Sequence, residues 1–140
     1  MRHMITMSTK YFVDTNIFVY TLFTIDDQKY SACKKLFKKA EAGDIQLWTT
    51  EWVIAELIWF LRRRDVSQEK IKDIVLTIIV SKGLEVQNKS QLMSVINSWE
   101  EGIDFLDVYN LHCARQMEIN RGYTYDRDFD KVDNFTRLEP

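Results

Sequence analysis

The chain has 140 residues, 46% hydrophobic and 29% charged, with one proline and four glycines; this balance excludes the disordered and low-complexity classes and fits one domain that buries about two-thirds of its unfolded surface. A net charge of −2, from 19 basic and 21 acidic side chains, gives no global signal for nucleic-acid binding. The longest strongly apolar window, 74–80, is far too short to span a bilayer, and no apolar signal-peptide core stands at the start, so a cytoplasmic protein without membrane attachment is expected.

Residues 1–9, "MRHMITMST", contain three methionines and read as a disordered leader or expression remnant, leaving 10–140 as the folded domain. The apolar run 11–13 reads as a strand covered on both faces. Helical spacing follows over 16–23, and again from Tyr30 through Cys33, Leu36, Phe37 and Ala40 to a stop at Gly43. "IQLWT" alternates as a strand, and Thr49 or Thr50 caps the helix of "EWVIAELIWFLRRR", whose arginines sit at the favourable C-terminal end. Ser67 opens a fourth helix that Gly83 stops, "LEVQ" is a strand, and Ser90 caps a fifth helix ending at Gly102. A long helix from Ile103 closes at Gly122; "YTY" at 123–125 is a strand, "DRDFDKV" a turn and "FTRL" a last strand. Strands separated by helices imply crossovers, hence an α/β fold with a central parallel sheet flanked by helices on both faces.

Ligands of such sheets bind beyond the carboxyl ends of the strands. Asp14 stands at one such end, where it also suits the N-cap of the next helix. Asp126 follows another predicted strand, with Asp128 and Asp130 close behind, a cluster that asks for a cation. Glu56 lies among Val53, Ile54, Leu57 and Trp59; burial there requires compensation, and the alternative is that it faces solvent or pairs with Arg63. Asp104 and Asp107 are three apart at a helix start, where the dipole favours anions; Asp104 suits the cap, and Asp107 is the better candidate for pointing into the sheet's crevice. A carboxylate set without histidine matches Mg²⁺ or Mn²⁺ better than zinc. His112 falls on a different face from Asp107 and reads as a packing or surface residue. His3 belongs to the leader. Cys33 and Cys113 form neither a CxxC pair nor a zinc knuckle and are expected as buried thiols. Lys34, Lys35, Lys38 and Lys39 form one basic run and Arg62, Arg63 and Arg64 another; each alone reads as a solvated helix face.

The segments "FVDTN", "VIAEL", "GIDFLDVYNLHCA" and "TYDRDFDKV" with "TRLEP", in this order over nearly the whole chain, resemble the PIN-domain ribonucleases, most closely the small VapC-type toxins of toxin-antitoxin pairs. The resemblance implies a single PIN-like nuclease domain in which Asp14, Glu56, Asp107 and Asp126 hold Mg²⁺ or Mn²⁺. Asp128 is implied as a further ligand, and Asn16, Thr124 and Asp104 as supporting residues. The substrate implied is single-stranded RNA, with the basic helices Lys34 to Lys39 and Arg62 to Arg64, Lys34, Lys35, Lys38, Arg62 and Arg63 foremost, tracking phosphates and Trp or Tyr side chains stacking bases. The partners implied are a cognate antitoxin and a second copy of the chain; the apolar content of "EWVIAELIWFLRRR" and "IVLTIIV" also suggests a homodimer. Two features depart from the family: the helix after Glu56 runs on as "LIWFLRRR" where many relatives turn at a glycine, and the chain has four tryptophans. The alternatives are a PIN-type nuclease of RNA processing or DNA flaps, and a catalytically silent PIN-fold binding module. An aspartyl-nucleophile phosphatase is disfavoured because "DTN" lacks a second aspartate two positions on.

Overall fold

A computed structural model describes residues 9–140, so the leader lies outside the described residues except for Thr9. The chain divides into two compact units, residues 1–92 and 93–140.

The first unit alternates strands and helices: β1 (Lys10–Phe12), α1 (Thr15–Leu22), α2 (Asp27–Glu41), β2 (Gln46–Thr49), α3 (Glu51–Arg63), α4 (Gln68–Ile79) and β3 (Leu84–Val86). The strands form a parallel sheet in the order β1-β2-β3, with Tyr11 opposite Leu47 and Leu47 opposite Leu84. Helix starts follow local chemistry. The side chains of Asp26, Thr50 and Ser67 accept hydrogen bonds from the backbone N–H groups of Lys29, Val53 and Lys70, satisfying donors a helix leaves open. The apolar stripes of α3 and α4 supply the core, with Ile54, Leu57, Leu61, Ile71 and Val75 all buried. Part of the apolar surface expected to form a dimer face is thus buried within the unit, while Trp52, Trp59 and Val80 of the same segments stay exposed.

β1 departs from the expected doubly covered strand. It is an edge strand whose three residues are exposed, and only Val13, just after it, is buried. In β2 and β3 the alternation is plain: Leu47, Thr49, Leu84 and Val86 face the core, whereas Gln46 and Glu85 are exposed. One glycine is indispensable to this packing. Gly83 has φ +88°, and a Cβ there would lie 2.3 Å from the Ala40 carbonyl oxygen. It lets α2 pass against the chain just before β3, and its own carbonyl accepts from Leu47 N at 2.9 Å.

α5 (Lys89–Asn97) spans the division between the units. Its first residue, Lys89, comes before the expected Ser90 cap and follows the positive-φ residue Asn88, whose carbonyl accepts from Leu92 N. The second unit continues with α6 (Phe105–Gln116), β4 (Arg121–Tyr123), a 3-10 helix (Arg127–Lys131) and β5 (Thr136–Leu138). β4 and β5 pair in parallel, Gly122 opposite Arg137. α6 ends well before Gly122, because Met117 caps it and Glu118 turns left-handed at φ +61°. The strand expected at 123–125 therefore lies two residues earlier, and the acidic turn is wound into a 3-10 helix. Trp99 is held by its Nε1–H donating to the Ile103 carbonyl at 2.7 Å and by an edge contact with Phe105.

Candidate functional site

In the first unit, Asp14 follows buried Val13 at the mouth of β1. Thr49, fully buried, donates its hydroxyl to the Val13 carbonyl at 2.8 Å, so the central strand fixes the backbone that presents Asp14. Asp14 is the N-cap of α1, its Oδ1 accepting from Thr15 N at 2.8 Å. Its carboxylate is exposed, so capping leaves it open to solvent and to a ligand. Thr15 is buried, and its hydroxyl donates to Glu56 Oε1. That contact links the start of α1 to the middle of α3.

Glu56 is exposed rather than sunk in the core, since the buried stripe of α3 runs through Val53, Ile54, Leu57 and Ile58 and leaves Glu56 off it. Nor does it pair with Arg63, whose guanidinium instead lies 4.7 Å from the Trp59 ring centroid. Asp14, Thr15, Asn16 and Glu56 all line one pocket of about 430 Å³. Arg64 lines it too, held over the rings of Phe60 and Phe23 at 4.8 and 5.3 Å.

In the second unit, Asp104 is the N-cap of α6, accepting from Leu106 N at 3.1 Å, and Asp107 lies in the first turn. Asp107 is half-buried, and its carboxyl is raised above its ordinary pKa, first by desolvation and then by the like charges of Asp104, Asp126 and Asp128. Asp126 caps the 3-10 helix by accepting from Asp128 N at 2.9 Å, while Thr124 Oγ1 accepts from Asp126 N at 3.0 Å. Thr124 thus sets the backbone of Asp126. Lys131 approaches Asp128 at 3.2 Å. Arg137 braces the loop: its Nη1 donates to the Thr124 carbonyl at 3.0 Å and to Glu139, and its Nε donates to Asp130 at 2.9 Å.

The donor set is all carboxylate oxygen, the chemistry that suits Mg²⁺ or Mn²⁺, and the mutual repulsion at Asp107 is what a cation would relieve. Among the described residues, no three histidine, cysteine, aspartate or glutamate side chains are gathered closely enough to hold a metal ion. Within its unit each set of acids is therefore placed but not closed.

The basic residues divide. Lys34, Lys35, Lys38 and Lys39 are exposed on α2 and do not line the pocket with Asp14; Lys34 lies 5.0 Å from the Tyr30 ring. Of the three consecutive arginines, Arg64 lines that pocket, whereas Arg62 and Arg63 do not. Two residues with clear roles in the geometry escaped the sequence reading, Thr15 and Arg137. A threonine between an aspartate and an asparagine signals little beyond a helix start, and Arg137 gains its role only when β5 pairs with β4. Cys33 is buried, as expected, with its thiol pushed up by burial against the smaller opposing pull of Lys29; Cys113 is half-buried. No helix among the described residues is long and apolar enough to cross a membrane.

Comparison with known proteins gives three findings. The sequence model of the PIN domain family matches residues 11–134. No curated protein matches this chain. Among solved structures, it is similar to Mycobacterium tuberculosis VapC20, a Sarcin-Ricin loop cleaving toxin, at 20% identity and a TM-score of 0.41 over 95% of this chain and 100% of the other.

Proposed function

We propose that this chain, which belongs to the PIN domain family, is a metal-dependent endoribonuclease that cleaves single-stranded RNA as the cytoplasmic toxin of a toxin-antitoxin module. The observation that carries this proposal is the Thr15-linked pair of acids, Asp14 and Glu56, lining the same pocket as Arg64. Acids and a cation on one concave surface suit a phosphodiester: the arginine binds the anionic strand, and the acids work where charge changes.

In the first unit Asp14 and Glu56 are the proposed oxygen donors for Mg²⁺ or Mn²⁺; in the second they are Asp107, Asp126 and Asp128, which stand too far apart to hold a metal ion as placed and would have to close on it. The bound cation supplies Lewis acidity toward a phosphoryl oxygen and makes a neighbouring water more acidic. The chain's own residues do the positioning. Thr15 holds Glu56 by its hydroxyl, Thr49 fixes the backbone before Asp14, and Thr124 with Arg137 fixes the loop of Asp126 and Asp128. Asn16, exposed in the pocket, offers an amide to a phosphate or a water, and Asp104 holds the first turn of α6 that carries Asp107. Lys34, Lys35, Lys38, Arg62 and Arg63 are proposed to attract the strand from farther away, a contribution that salt would screen.

The test is cleavage of a labelled single-stranded RNA by the purified chain. Cutting with Mg²⁺ or Mn²⁺ that stops with EDTA is expected; full activity in metal-free buffer contradicts the proposed metal dependence.

A further inference from the structure

We propose that the pocket lined by Asp14 and Glu56 contains a nucleobase subsite, in which Trp59 stacks an unpaired base and Arg64 takes the adjoining phosphate. The inference rests on the nuclease proposal for its occupant and adds what that proposal leaves open, the residues that select a single strand.

The pocket's volume, about 430 Å³, falls within the range of about 300–1,000 Å³ typical of small-molecule sites. Besides its acids, it is lined by Tyr20, Ile25, Trp59 and Phe60, surfaces suited to a flat heterocycle. Trp59 is 56% exposed, so a base reaches its indole without displacing core packing, either on the face opposite the Arg63 guanidinium or by taking that cation's place.

Arg64 is the second half of the subsite. Its guanidinium rests against Phe60 and Phe23, and no carboxylate among the described residues pairs with it, although two line the same pocket. The rings hold the cation in place and leave its hydrogen-bond donors for an anion. An aromatic ring for a base beside a fixed cation for the backbone is the chemistry of single-strand recognition, because a duplex keeps its base faces stacked inside. The extension of α3 as "LIWFLRRR" is what brings Trp59, Phe60 and Arg64 to the pocket.

The test uses the full chain carrying D14N, in EDTA, with a short RNA containing 2-aminopurine, whose fluorescence falls when the base stacks on an aromatic ring. Binding with quenching is expected for the single strand and not for its duplex. Adding W59A should weaken binding about tenfold, the scale of one base–aromatic stack, and reduce the quench; W59F should restore most of both. W52A is the control, since Trp52 is 66% exposed on the same helix but does not line the pocket, and it should change neither. R64A should lower the salt dependence of binding by about one phosphate contact.

A W59A chain that binds and quenches like its parent overturns the subsite, as does RNA that fails to bind, which leaves the pocket to a protein partner. The two proposals fail separately. Wild-type chain that does not cleave with Mn²⁺, yet shows Trp59-dependent quenching, refutes the nuclease and keeps the subsite. A cleaving enzyme whose KM and quench ignore W59A keeps the nuclease and refutes the subsite.

Discussion

Asp107 sits where two costs coincide, partial burial and the like charges of Asp104, Asp126 and Asp128, and both hold its carboxyl above the ordinary range. A carboxyl raised in the folded state favours folding while it is protonated, below its unfolded pKa of about 3.9, and loses that contribution as pH rises through the higher folded value. Asp107→Asn removes the charge but keeps the shape. Without metal, the variant is therefore expected to melt higher than wild type at pH 7, with the gain shrinking toward pH 4 and below. Mn²⁺ should then raise the wild-type melting temperature more than that of the variant. An unchanged or lower melting temperature at pH 7 in EDTA would refute the repulsion argument. The sequence announced the acids themselves, because Asp14, Asp107 and Asp126 interrupt or border apolar runs. It did not announce the hydroxyl of Thr15, whose acceptor lies 41 positions away. Nor did it reveal that Glu56 is exposed, since its immediate neighbours are apolar and only the helical stripe decides which of them turn inward.

Several helix starts were legible and two later helix ends were not, for a physical reason. The starts at Asp14, Thr50, Ser67 and Asp104 carry side chains that bond locally to the first turn. The ends at Val80 and Met117 have no glycine at the cap, whereas the end at Arg64 follows the basic run that marked it in the sequence. α6 therefore stops before Gly122, and the strand after it moves with that stop. β1 has the composition of a central strand but, among the described residues, pairs on one side only, because composition does not reveal which strand lies at an edge. Gly83 gives the sharpest test at this scale. Gly83→Ala puts a methyl group against the Ala40 backbone and an L-residue at φ +88°. A loss of about 2–5 kcal/mol, read from the urea midpoint, is expected from strain and overpacking together. A variant within experimental error of wild type would show that the α2–β3 approach is loose.

For the whole molecule, net charge says little, because function depends on where charges sit: Arg64 lines a pocket with two acids while the lysines of α2 lie outside it. The fold class was legible from the alternation of strands and helices, whereas the division into units was not, since no linker composition marks it. The homodimer remains a proposal, motivated now by Tyr11 and Phe12 and by Trp52 of α3, which stay at least half exposed, rather than by the buried apolar stripes of α3 and α4. Light scattering should show a mass twice that of the chain at micromolar concentration; a monomer at every concentration would exclude it. The proposed toxin role predicts that the chain arrests growth when expressed alone and that the product of a neighbouring small gene relieves the arrest. The central claim is that Asp14 serves chemistry and not only the cap of α1, and one substitution tests it most directly. Asn caps about as well as Asp, so Asp14→Asn should keep its melting temperature in EDTA. Cleavage of single-stranded RNA in excess Mn²⁺ should nonetheless fall at least roughly 100-fold, taking the effect of disturbing outer partners of a metal as the floor. A variant that melts like wild type and cuts at nearly the wild-type rate would make Asp14 a helix cap and contradict the account.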